Sequence, residues 1–155
     1  MGTTQDKLVY LNKYKKEFIK VLNNKGILLR QDATLSQVMY SVYFYRENNG
    51  NEPVLEYLKE LSKSNSKDNR VKLNKIQDYM EVLSQNGLSS GLPFIKHIKG
   101  ELWELRPKKC RIFFVAWIDN SFVLLHCFDK KTMRTPRREI KKAIKEIEEL
   151  KKRGI

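Results

Sequence analysis

Residues 102–128 read LWELRPKKCRIFFVAWIDNSFVLLHCF, and this stretch decides the fold. ELWELR, CRIFFVAWI and SFVLLHCF are rich in the branched and aromatic side chains that suit a pleated, half-buried surface. PKK and DNS join them, and connections this short require antiparallel neighbours. A turn at Pro107–Cys110 sets Arg106 opposite Arg111. Along the first strand Arg106 then shares a face with Glu104 and Leu102, while Trp103 and Leu105 point the other way.

Upstream, PFIKHI reads as one more strand. Before it, Pro53 fits the first position of a helix whose buried stripe is Leu55, Leu58 and Leu61. SKSNSKDN is a polar break, and Leu73, Ile76, Met80 and Leu83 mark a second helix that stops at Asn86-Gly87. The pair is expected as a helical hairpin lying on the sheet. Val42 and Phe44 alternate with Tyr43 and Tyr45, which is strand periodicity. Downstream, Thr135-Pro136 caps and starts a helix with Ile140, Ala143, Ile144, Ile147 and Leu150 on one face and charged residues on the other. At the start of the chain Leu8, Leu11, Tyr14, Phe18 and Leu22 define an amphipathic helix, and residues 27–39 suit a short helix or a connector. Helices and strands are segregated, so the fold class is α+β: a small antiparallel sheet, an N-terminal helical hairpin, a C-terminal helix and an extra N-terminal helix. The division falls near residues 24–40, giving a helical extension over 1–39 and a compact domain over 40–155.

The 155 residues suffice for one real core, and the formal net charge is +13. That charge is uneven: residues 93–155 hold 17 of the 31 Lys/Arg but only 8 of the 18 Asp/Glu. Such a balance favours an anionic partner. Two cysteines, Cys110 and Cys127, make neither a disulfide framework nor a metal-ligand spacing, and two reduced core thiols are the plain reading. With no secretory apolar segment near the start, the expected compartment is the cytoplasm. The longest apolar stretch, Ile112 to Phe128, is broken by Asp119-Asn120-Ser121 and is too short to cross a bilayer, so no membrane role is expected.

The cations carry the sharpest signal. Arg106 and Arg111 face each other across a strand pair, which is unfavourable, and Lys108 and Lys109 in the turn add to the repulsion. An anion between them relieves it, and guanidinium groups suit phosphate because they donate two parallel hydrogen bonds. HCFDKKTMRTPRREI, residues 126–140, adds Lys130, Lys131 and Arg134 where the last strand gives way to a helix. Arg106, Arg111, Lys130, Lys131 and Arg134 are therefore expected to converge on one concave surface. For any single lysine the plainer reading is a solvated residue that keeps a sheet edge from pairing. The clustering of the group favours anion binding.

LWELR, RIFFVAW and LLHCFDKKTMRTPRREI resemble the HigB-like, phage-derived branch of the RelE/ParE toxin superfamily, and VYFYRENNGNEPVLEYLKEL resembles the start of the same unit. The resemblance covers about residues 40–150 and leaves out 1–39. It implies the same small sheet with a helical hairpin and a C-terminal helix. It also implies the toxin of a type II toxin–antitoxin pair, a metal-free mRNA endoribonuclease working on the ribosome with no cofactor. The implied partners are a helix-turn-helix (HigA-like) antitoxin, the ribosome and mRNA. Arg106 matches the arginine expected to hold the scissile phosphate, Arg111 the arginine opening the next strand, and Lys131, with Lys130, the basic residue after the last strand. Lys96 and Lys99 fall where RelE-type members carry basic loop residues. Those members also use a tyrosine in the C-terminal segment, and this chain has none after Tyr79.

Metal-free cleavage needs a base for the 2′-OH, donors for the phosphorane and an acid for the 5′-oxygen. His97 and His126 are the groups that titrate near neutrality unperturbed. His97, in IKHIKG, is the catalytic candidate, whereas His126 alternates with Leu124 and Phe128 and reads as a satisfied core residue. A lysine whose pKa is lowered by neighbouring cations is an alternative base. Lys108, Lys109 and Arg134 are assigned to RNA binding. Two rivals stand beside the nuclease: a ParE-like inhibitor of DNA gyrase, and a non-catalytic nucleic-acid-binding protein.

Overall fold

The computed structural model of the chain describes residues 40–153. The helix expected over Leu8–Leu22, and with it the extension 1–39, lies outside the described residues. From residue 40 the chain forms β1 (Ser41–Phe44), α1 (Pro53–Lys63), α2 (Lys67–Asn86), a single turn of 3-10 helix (Gly87–Ser90), β2 (Ile95–Lys99), β3 (Leu102–Leu105), β4 (Cys110–Trp117), β5 (Ser121–Asp129) and α3 (Arg137–Lys152). The strand order is β1-β5-β4-β3-β2.

Three of the pairings, β2 with β3, β3 with β4 and β4 with β5, are antiparallel as their short turns demand. β1 departs from the expected all-antiparallel sheet: it lies parallel to β5, with Val42 beside Phe122 and Phe44 beside Leu124. The reason is the long connection. Two helices and three strands separate β1 from β5, so no tight turn forces the two to run oppositely.

The alternation of side chains splits the interior into two cores. Val42, Phe44, Ile95, Leu105, Cys110, Ile112, Phe114 and Leu124 face the helical hairpin, where they meet Leu55, Leu58, Leu73, Ile76 and Leu83. Tyr45, Leu102, Phe113, Val115, Val123 and Leu125 face α3 and its Ala143, Ile147 and Leu150. Each fully buried aliphatic or aromatic side chain contributes roughly 1.5–3 kcal/mol, so both helical layers are held mainly by apolar contact.

The local signals act as expected, with small shifts. Pro53 opens α1. Ser66 caps α2, accepting from the Asn69 backbone N–H at 3.3 Å. α3 begins one residue later than the Thr135-Pro136 reading, with Pro136 in the capping position and no side-chain cap. A bulge in β5 changes the sequence picture more. Ile112 pairs with Cys127 but Phe114 pairs with Leu124, so Leu125 and His126 together oppose Phe113. Both therefore turn toward α3, and His126 does not share a face with Leu124 as strict alternation implied.

Gly87 ends α2 with φ +58°, and a Cβ there would lie 2.7 Å from the Tyr40 ring. Gly87→Ala is expected to lower stability by more than the ~1–2 kcal/mol of left-handed backbone strain alone, because the Tyr40 ring must also move. Urea unfolding of the two proteins measures the difference.

Candidate anion-binding site

The β3–β4 pairing matches Leu105 with Ile112 and Glu104 with Phe113. One step further in the same register brings Arg106 opposite Arg111. Both arginines, with Glu104, emerge on the sheet face that carries α3. Arg106 is anchored beyond the strand end by its backbone N–H, which donates to the Phe94 carbonyl at 2.9 Å.

Between the two guanidinium groups lies the carboxylate of Glu104, which is 1% exposed. Its Oε1 is 3.5 Å from Arg106 Nε and 3.8 Å from Arg111 Nε. These are ion-pair distances and not hydrogen bonds; Glu104 Oε2 and both arginine Nε atoms are buried without hydrogen-bond partners. Arg111 is folded back on its own turn, where Nη1 donates to the Lys108 carbonyl at 2.7 Å and the Cys110 carbonyl at 2.9 Å. Burial lowers the Arg111 pKa; the Glu104 charge opposes that shift and the Arg106 charge adds to it.

Two lysines complete the cluster. Lys96 on β2 pairs across the strands with Glu104. Lys130 follows β5, and its backbone N–H donates to the Lys109 carbonyl at 2.7 Å, which ties the end of β5 to the β3–β4 turn. The Lys130 pKa is lowered, first by desolvation and then by the charge of Arg111, with Arg106 and Lys96 acting in the same sense and Glu104 against them. Lys96, Arg106, Arg111 and Lys130 thus share one electrostatic neighbourhood with a single carboxylate. The repulsion read from the sequence is relieved in part by Glu104, a carboxylate of the protein itself. A net positive charge remains on the cluster. Phe128 sits across from Arg111 in the β4–β5 pair, half-buried, with its ring 5.3 Å from that of Phe113. It places an aromatic surface beside the cations.

The other candidates fall elsewhere. His97 pairs with Trp103 and lies edge-on to it at 5.0 Å, with Nε2 2.8 Å from the Gly100 carbonyl oxygen. Trp103 packs against the helical-hairpin core, so His97 is on the face opposite Glu104 and Arg106. Lys99 follows a register shift and pairs with Leu102, at the far end of the hairpin from Arg106. Lys108 and Lys109 are exposed in the turn, and it is their carbonyl groups that build the site. Lys131 and Arg134 are exposed on the loop after β5.

His126 is 2% exposed and fastens α3 to the sheet. Its Nδ1 is 2.5 Å from Glu146 Oε1 and its Nε2 is 3.0 Å from Glu139 Oε2. The two glutamates are two helical turns apart and so lie on one side of α3. The two thiols are held inert: burial pushes Cys110 up to about 12 and raises Cys127 as well. Among the described residues, no group of three or more His, Cys, Asp or Glu is placed to hold a metal ion, and no helix is long and apolar enough to cross a membrane.

From the sequence alone Glu104 could equally orient the neighbouring cations or make an ordinary ion pair, and Phe128 read only as part of an apolar strand face. The signal for Glu104 was present: a carboxylate inside LWEL, on the same side as Leu102, stands where burial is expected.

A basic α+β domain with a cationic cluster at the edge of its sheet is the class that this geometry defines. The sequence signature of the family described as phage derived protein Gp49-like (DUF891) matches residues 56–148, more than half of the chain, and the chain belongs to that family. The family is associated with RelE-like, toxin-like proteins. No curated protein matches the chain.

His126→Ala is expected to lower stability by about 1–3 kcal/mol, because the buried Glu146 carboxylate then loses its hydrogen-bond partner. Glu139→Gln should have a smaller effect, since that side chain is 19% exposed. Urea unfolding of both variants tests the ordering.

Proposed function

We propose that this chain is the toxin of a type II toxin–antitoxin pair, and that its described domain cleaves mRNA on the ribosome without a metal. Membership of the Gp49-like family supports the toxin-like part of this reading. The observation that carries the chemical part is the placing of Arg106 and Arg111 within ion-pair reach of the buried Glu104 carboxylate, with Lys96 paired to Glu104 on the next strand and Lys130 tied to the adjoining turn. A fold gains little from gathering four cations around one acid, and an RNA phosphate supplies the missing negative charge.

In the proposed reaction the message lies along the α3 side of β3 and β4. Arg106 donates to the non-bridging oxygens of the scissile phosphate and holds the phosphorane, and Arg111, held on its own turn, adds positive charge beside it. The 2′-oxygen attacks phosphorus and loses its proton, the bond to the 5′-oxygen breaks, and that oxygen takes up a proton. The products are a 2′,3′-cyclic phosphate and a 5′-hydroxyl. Lys130 is the base this geometry favours, since its lowered pKa makes the neutral amine more accessible than in an ordinary lysine. Its position beside both arginines sets it ahead of His97, on the other face of the sheet, and of Lys131, exposed on the loop. The cognate partner is a helix-turn-helix antitoxin whose acidic residues compete for the same cations.

The test is a translation reaction with purified ribosomes and a defined message, with 3′ ends mapped. Wild type is expected to create new 3′ ends, and Arg106→Ala to lower their rate of appearance by about 10²–10³. Supercoiling defects without new 3′ ends would instead establish the gyrase reading. Equal loss of binding and cleavage for every cation removed would establish a non-catalytic binder.

A further inference from the structure

Glu104 is a paradox on an RNA-binding face. Acidic groups repel the substrate, yet this one is 1% exposed and placed between the two arginines that the reaction needs. It is not free to reach a 2′-hydroxyl: it is buried, and its pairing partners, Phe113 and Lys96, belong to the strands on either side. Nor does it close a good hydrogen-bonded ion pair, since Oε2 and both Nε atoms lack partners. A carboxylate optimised for stability alone would take a bidentate geometry with one arginine. Here it is shared at 3.5 and 3.8 Å.

We propose that Glu104 is a positioning residue for the cleavage reaction: by attracting both Nε atoms from within the sheet, it keeps Arg106 beside Arg111, whose Nη1 is held by the turn carbonyls, and leaves the terminal nitrogens of Arg106 to turn toward a phosphate. The inference rests on the nuclease reading above and adds a role to the same site. The physical argument has two sides. Without Glu104 the two guanidinium groups repel each other, and Arg106, with 24% of its side chain exposed, swings toward solvent while Arg111 stays tied to its turn. Yet loss of one negative charge makes the cluster more attractive to a polyanion. Positioning and attraction therefore move in opposite directions, which a purely structural carboxylate does not predict.

The experiment compares wild type, Glu104→Gln, Glu104→Asp and Arg106→Ala. Cleavage is followed as single-turnover formation of 3′ ends on ribosome-bound message. Affinity is measured with an RNA oligonucleotide carrying 2′-O-methyl at every position, and folding by thermal melting. Glu104→Gln keeps the volume and removes the charge. It is expected to bind the oligonucleotide about two- to threefold tighter at low salt and to cleave about tenfold to a hundredfold more slowly. Glu104→Asp retains the charge and is expected to recover part of the cleavage rate. Wild-type cleavage by Glu104→Gln overturns the inference alone, as does parallel loss of binding, cleavage and melting temperature in both Glu104 variants. If wild type itself makes no new 3′ ends while Arg106→Ala weakens oligonucleotide binding, the nuclease reading falls and the inference falls with it.

Discussion

The antiparallel register of β3 on β4 is the constraint on which the rest depends. It fixes Leu105 against Ile112 and Glu104 against Phe113, and so carries Arg106 to Arg111 at the strand ends. A slip of one residue would send Arg106 into the apolar layer beneath the helical hairpin and bring Leu105 out beneath α3. The cores on the two faces oppose any such slip, because each strand contributes alternate residues to both. The cation cluster is therefore held by the whole hydrophobic interior, and its own electrostatics work against it.

That opposition is met locally. Glu104 shares its carboxylate between the arginines, carbonyl groups of the turn hold Arg111, and the Lys109 carbonyl draws the start of the β5–α3 loop against the same turn. On the same sheet face, the bulge in β5 aims His126 at Glu139 and Glu146 and anchors α3. Phe113 lies between the two arrangements, with its ring 5.4 Å from that of His126. The anchored helix and the cationic cluster are neighbours on one surface.

Much of this was legible in the sequence. Two-residue alternation and short turns revealed β3 to β5, and Pro53, Gly87 and the leucine stripes revealed the helical hairpin. Arg106 opposite Arg111 followed from placing one turn. What escaped had a common cause: each case depended on a contact between distant segments, or on a local irregularity that residue types do not encode. β1 runs parallel to β5 because a long connection left its direction to packing. The bulge that turns His126 away from Leu124 adds one residue to a strand that is mostly apolar. His97 sits amid lysines in the sequence, yet its pairing with Trp103 puts it on the other face. Lys131 and Arg134 share a segment with Lys130, but only Lys130 is adjacent to a strand end and so is held against the cluster.

The central claim is that Lys96, Arg106, Arg111 and Lys130 form one phosphate site while Lys99, Lys108, Lys109, Lys131 and Arg134 do not. The most direct measurement is the salt dependence of binding to a fully 2′-O-methylated RNA oligonucleotide, for wild type and for single alanine variants. The account predicts that removing any of these four lowers the slope of log affinity against log salt by about 0.7, the value for one contact with single-stranded nucleic acid, and that Lys99→Ala leaves it unchanged. Equal changes for Lys99 and the four, or no change for Arg106 and Arg111, would contradict it.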